Sequence, residues 1–140
     1  MLLGEFRHSL DAKGRLFLPA RWRDELGEGV VVSKGLDRCL DLMPGPRFAE
    51  MAEQLSELSV NRRDNRDYSR ILFSGASEEA VDRQGRITLP PALREFAGLE
   101  KEVVLAGVSR RAEIWDRATW ETYQQRVQPQ YEEIAEKLEL

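Results

Sequence analysis

The sequence predicts an α+β protein: two half-domains related by internal duplication, interlocked about a pseudo-twofold axis as a small β-barrel with flanking helices. Three observations carry that expectation. Residues 11–27, DAKGRLFLPARWRDELG, realign with residues 82–98, DRQGRITLPPALREFAG, so that Asp11 falls on Asp82. After one inserted residue the match resumes, with Gly35 on Gly107, Asp41 on Glu113, Phe48 on Trp120 and Leu55 on Val127. Each copy is only about 45 residues, which is rarely enough to enclose a core, so the two should fold as one body.

Each copy opens on a tight reversal. Asp11-Ala12-Lys13-Gly14 and Asp82-Arg83-Gln84-Gly85 place Asp first and Gly fourth, where the carboxylate can bond the backbone ahead and glycine tolerates a positive φ. Short strands follow, Arg15-Leu16-Phe17-Leu18 and Arg86-Ile87-Thr88-Leu89. Pro19 and Pro90 stop them and suit the first turn of helices that end at Gly27 and Gly98. On those helices Trp22 and Leu26, or Leu93 and Ala97, share one face. Apolar strands return at residues 30–32 and 40–42, matched by 103–105 and 112–114.

Helices flank the copies. Phe48, Met51, Ala52 and Leu55 follow helical spacing, as do Trp120, Tyr123 and Val127, and a last acidic helix carries Tyr131, Ile134 and Leu138 after a break near Pro129. Arg62, Arg66 and Arg70 line a further helix whose stripe reads best as a solvated or subunit-facing side. The expected organisation is 5–48 for the first half-domain, 49–75 for a connecting helical segment, 76–120 for the second half-domain and 121–140 for a helical tail.

Composition narrows the function classes. The formal charge of -4 argues against nucleic acid when taken alone. Its distribution argues otherwise: residues 1–23 hold five Lys or Arg against two acids, whereas residues 24–58 hold three against eight. One cysteine, Cys39, and one histidine, His8, leave no internal disulfide and no zinc cluster, so neither metal nor cofactor is expected. There is no membrane-length apolar run and no secretion-type opening, which predicts a cytoplasmic protein. An enzyme is disfavoured because Cys39 and His8 have no counterparts in the repeat and no oxyanion or phosphate-cradling motif surrounds them.

The doubled pattern Asp-x-x-Gly-Arg-apolar-x-apolar-Pro, DAKGRLFLP and DRQGRITLP, resembles the AbrB/SpoVT swapped-hairpin motif. The ordered pair, with AGLEKEVVLAGVSRRAEIWDRATW after its second copy, is similar to the MraZ family over nearly the whole chain. The resemblance implies a nucleoid-associated transcriptional regulator, generally a repressor. Its partners would be double-stranded operator DNA, in repeated elements upstream of the division and cell-wall gene cluster containing its own gene, and itself, in ring-shaped homo-oligomers. No membrane and no small-molecule substrate are implied.

On this basis Arg15 and Arg86 are the first DNA-binding candidates, because a guanidinium can contact a guanine edge or phosphate with two donors at once. Lys13, Arg83 and Arg7 should join them, with Arg21 and Arg23 widening the basic edge. Asp11, Gly14, Asp82 and Gly85 should form the turns, the two acids steadying the arginines rather than meeting DNA. The alternative is a protein-interaction module, such as an AbrB-like antitoxin whose acidic tail binds a partner.

Overall fold

The computed structural model describes residues 1–139. In chain order it contains β1 (Glu5–Ser9), β2 (Arg15–Phe17), a 3₁₀ turn (Ala20–Trp22) leading into α1 (Arg23–Leu26), β3 (Gly29–Lys34), β4 (Leu40–Pro44), α2 (Gly45–Ser56) and α3 (Arg63–Gly75). The second copy supplies β5 (Ser77–Ala80), β6 (Arg86–Thr88), α4 (Pro91–Phe96), β7 (Glu102–Val108), β8 (Arg111–Asp116) and α5 (Arg117–Val127), followed by a 3₁₀ turn (Gln128–Gln130) and α6 (Tyr131–Lys137). Gly27 and Gly98, at φ +74° and +61°, end the short helices as the sequence predicts.

Strands exchange partners between the copies. β1 pairs with β7 and β5 with β3, each antiparallel and each across the repeat boundary. β4 meets β8, and β2 meets β6. Leu16 stands opposite Ile87 and Asp41 opposite Glu113. Both are pairs of repeat-equivalent residues, so one approximate twofold axis passes through the middle of each.

The expected closed barrel does not form. Six strands make an open sheet in the order β1-β7-β8-β4-β3-β5, and β2 and β6 make a separate two-stranded ribbon. Closure fails because the ribbon strands are three residues long, pair only with each other and give way at once to Pro19 and Pro90. Among the described residues nothing joins edge β1 to edge β5.

The ribbon instead lies over one face of the sheet. Leu16 and Ile87, 0% and 1% exposed, point inward to join Val32, Leu42, Leu105 and Ile114 in a single core, each side chain contributing about 1.5–3 kcal/mol through burial. Trp22 closes that layer edge-on to Phe6, with ring centroids 5.2 Å apart. α2 and α5 pack with the sheet strands of their own copies. The core and helices thereby leave the ribbon's outward face and its two turns to solvent.

The connecting helix departs from its expected stripe. Arg62 precedes α3, Arg66 folds back so that Nη1 donates to the Val60 carbonyl at 2.9 Å, and Arg70 approaches Asp67 at 4.0 Å. Arg63 also approaches Asp67 at 4.0 Å, and both it and Arg70 stay largely exposed.

Candidate nucleic-acid interface

The two turns are built alike, atom for atom. Asp11 Oδ1 accepts the backbone N–H groups of Lys13 and Arg15, both at 2.9 Å, while Oδ2 accepts Arg15 Nε at 2.6 Å. Asp82 accepts the amides of Gln84 and Arg86 at 2.9 Å and Arg86 Nε at 2.9 Å. The Gly14 and Gly85 amides close each turn onto the Asp carbonyl, at φ +77° and +84°. These donors, led by the Arg15 amide, pull the Asp11 carboxyl down to about 2, and the matching set led by the Arg86 amide lowers Asp82 as well. Both acids are therefore ionised at neutral pH and hold their arginines by one edge.

The ribbon then sets the arginines on one surface. Alternation sends Leu16 and Ile87 inward, so Arg15, Phe17, Arg86 and Thr88 share the outward face. Arg15 stands opposite Thr88 and Arg86 opposite Phe17. The two guanidinium-bearing residues thus occupy diagonal corners, separated by roughly 7 Å along the strand direction. Arg86 also lies over the ring of Phe17, 5.7 Å from its centroid. Lys13 and Arg83 are exposed on the turns at the two ends of the ribbon.

Not every expected cation joins them. Arg7 lies on β1, where Phe6 and His8 face Trp22's side of the sheet, and alternation turns Arg7 the other way. There it faces Glu5 at 3.9 Å and Glu121 of α5 at 3.7 Å. This corrects the expectation that Arg7 extends the basic rim: it is an ion-paired residue on the opposite face. Arg21 is exposed on the first 3₁₀ turn.

Sequence reasoning undervalued Arg23 and missed Arg94. Arg23 Nε and Nη2 donate to the Leu18 carbonyl at 3.3 and 3.2 Å, and Arg94 Nε to the Leu89 carbonyl at 3.0 Å. Their guanidinium groups pass beneath the other copy's turn: a methyl on Gly85 would stand 2.3 Å from the Arg23 guanidinium carbon, and one on Gly14 2.8 Å from that of Arg94. Glycine is needed twice over here, for its φ and for this approach. The available signal was the repeat register, which puts arginine at both positions.

The axis has a second pole on the far side of the sheet. Arg111 Nε lies 3.4 Å from Asp41 and its Nη2 3.0 Å from Glu113, with buried Cys39 adjoining. Among the described residues Cys39, Asp41 and Glu113 form the one group that could hold a metal, with ligand atoms within 4.8 Å of one another, but the Arg111 guanidinium already faces both carboxylates. Burial, reinforced by Glu113 and Asp41, raises the Cys39 thiol, which is therefore protonated and a poor nucleophile. His8 is not part of the group.

By its architecture this is a tandem-repeat α+β protein that displays a basic two-stranded ribbon. A family model described as "MraZ protein, putative antitoxin-like" matches it twice, over residues 1–71 and 72–139. The chain belongs to the MraZ family. It is 52% identical over 138 residues to a protein of Moorella thermoacetica named transcriptional regulator MraZ, covering 99% of this chain and 96% of that one. Relatives of the same name in Heliobacterium modesticaldum and Carboxydothermus hydrogenoformans are 50% and 48% identical, each over 99% of this chain and 96% of the relative. Among the described residues no helix is long and apolar enough to cross a membrane.

Proposed function

We propose that this protein is a DNA-binding transcriptional regulator, generally a repressor, that reads operator DNA with the outward face of the β2–β6 ribbon. The observation that carries the proposal is the pair Arg15 and Arg86, at diagonal corners of that face and each fixed through Nε by its own aspartate. Among the described residues no hydrogen bond engages their terminal nitrogens, so each keeps a donor edge for a guanine or a phosphate. A two-stranded ribbon is also narrow enough to enter a major groove. Lys13 and Arg83 flank it and suit phosphate contacts; Asp11, Gly14, Asp82 and Gly85 set the geometry without touching DNA.

The proposal extends to assembly and target. Ring-shaped homo-oligomers would place several ribbons on repeated elements, and effective concentration would turn weak single contacts into stable occupancy. Family likeness supports elements upstream of the division and cell-wall gene cluster, the chain's own gene included, and with them a cytoplasmic, nucleoid-associated location. A second reading, a protein-interaction module of the antitoxin kind, draws on the family description and on the exposed Tyr131, Ile134 and Leu138 of α6.

A mobility shift with DNA from upstream of the gene tests the first reading. The natural chain should retard the fragment, and Arg15→Ala and Arg86→Ala should each weaken retardation while leaving the circular-dichroism spectrum unchanged. Equal affinity in both single variants and in the double variant would remove the ribbon as the DNA surface. Stoichiometric co-purification of a toxin, without any shift, would favour the second reading.

A further inference from the structure

The outward face of the β2–β6 ribbon differs between its two halves. Four side chains make it up: Arg15 opposite Thr88, and Phe17 opposite Arg86. The approximate twofold axis carries Arg15 onto Arg86 and the position of Phe17 onto that of Thr88, so the arginines repeat and their neighbours do not. Phe17 is the one large apolar side chain of the four, and it stays 44% exposed. The core does not account for it, because Leu16 and Ile87 anchor the ribbon from its other side. The Arg86 guanidinium lies 5.7 Å from the ring centroid, and that contact still leaves much of the ring open beside the two arginines.

Major-groove chemistry limits what such a ring can meet. Base edges there present hydrogen-bonding atoms, and their one apolar projection is the methyl group of thymine. A ring pressed on a hydrogen-bonding edge strands polar atoms, whereas a ring pressed on a methyl removes apolar surface from water on both partners. Cross-strand neighbours stand about 5 Å apart and residues two apart on one strand about 7 Å. A ribbon seated in the groove therefore sets Phe17 within roughly two base steps, of about 3.4 Å each, of the base that Arg86 contacts.

We infer that Phe17 reads the methyl group of one thymine in the operator, close to the guanine that Arg86 contacts. Thr88 does not repeat that reading beside Arg15, because its short side chain ends partly in a hydroxyl that both donates and accepts. The thymine requirement is thus one-sided. The inference rests on the DNA reading proposed above and adds a base-discriminating residue to it.

Exchange of thymine for deoxyuridine tests it, since the exchange removes a methyl and keeps every hydrogen-bonding atom. The probe is the fragment from upstream of the gene, with each thymine of the protected stretch replaced in turn and affinity read by fluorescence anisotropy; exchange of guanine for 7-deazaguanine marks the guanines whose contact is lost in Arg86→Ala. For the natural chain, a deoxyuridine within about two base steps of such a guanine should weaken binding about two- to fivefold, the worth of one buried methyl. Phe17→Thr should start from a similar deficit on the unmodified fragment, and the same deoxyuridine should cost it nothing further. Phe17→Leu keeps an apolar group without a ring for Arg86 to lie over, and should still sense the methyl. Thr88→Phe should create a second sensitive thymine near the base read by Arg15, a gain that does not depend on the Phe17 variants folding. Equal deoxyuridine penalties in the natural and Phe17→Thr proteins, or no sensitive thymine on a fragment whose binding still needs Arg15 and Arg86, would overturn the role of Phe17 and leave the DNA reading standing. No binding to the fragment at all would overturn both.

Discussion

The two poles of the approximate twofold axis use the same side-chain chemistry to opposite ends. At the ribbon pole, Asp11 with Arg15 and Asp82 with Arg86 are partly exposed, and backbone amides hold the carboxylates low. At the sheet pole, Asp41 and Glu113 share Arg111, and burial pushes the Asp41 carboxyl up to about 6 despite that cation. The comparison teaches that an aspartate–arginine pair does not by itself make a site. Each ribbon pair ties one arginine to one aspartate through Nε and leaves its terminal nitrogens on the outward face; Arg111 instead lies between two partly buried carboxylates on the far side of the sheet, away from the cations of the ribbon.

The sharpest way to break the contrast is to remove the arginines at each pole. Replacing both Arg15 and Arg86 by alanine should lower operator affinity about 100-fold or more, since each base or phosphate interaction is worth about 1–3 kcal/mol. In urea denaturation the same double variant should lose only about 1 kcal/mol, because ion pairs whose carboxylates still reach water contribute little. It should also flatten the plot of log affinity against log salt by about one unit for each phosphate that is no longer neutralised. Arg111→Ala should do the reverse. It strands two carboxylates at a half-buried site, so a loss of about 2 kcal/mol in urea denaturation is expected, with DNA affinity unchanged in the folded protein.

Titration sharpens the same comparison. Asp41 binds its proton more tightly folded than at its ordinary value of 3.8, so its effect on stability declines as pH rises from about 4 to about 6 and then levels off. Asp41→Asn should remove that slope and raise stability at pH 7, by up to about 2 kcal/mol. Asp11 behaves oppositely. Its contribution is complete above about pH 4 and fades as pH falls toward 2, a loss that the Lys13 and Arg15 amide resonances should follow and that Asp11→Asn should abolish.

The smallest expected effect separates the two halves of the ribbon itself. Arg86 rests over Phe17, whereas Arg15 faces Thr88 and has no such ring in its register pair. Phe17→Thr should therefore weaken DNA binding only two- to fivefold, the equivalent of about 0.5–1 kcal/mol, and Thr88→Phe offers the converse test at Arg15.

Much of this was legible in the sequence because its causes are local. An Asp-x-x-Gly-Arg stretch makes its own turn from atoms within five residues, and its duplication was countable. Barrel closure was not legible, since it depends on whether a three-residue ribbon reaches the edges of a sheet formed elsewhere. Arg7 was misplaced for a related reason: alternation along β1 fixes that Arg7 opposes Phe6, but which face the ribbon covers is a tertiary fact. Likewise the repeat shows that Asp41 and Glu113 are equivalent, and only the β4–β8 register shows that they meet. Arg23 and Arg94 each serve the other copy's turn, a relation that no window along one copy contains.

That crossing has a further consequence. A protein made of a single copy could assemble the ribbon only by finding a twin, because β1, β2 and the arginine beneath the turn all look for partners outside their own copy. Joining two copies in one chain replaces a bimolecular encounter with an intramolecular one, so the ribbon persists at any dilution. It also frees the copies from being identical. Lys13 can differ from Gln84 and Phe17 from Thr88, and a tethered pair can thus meet an asymmetric stretch of duplex that a strict homodimer would have to treat as a palindrome.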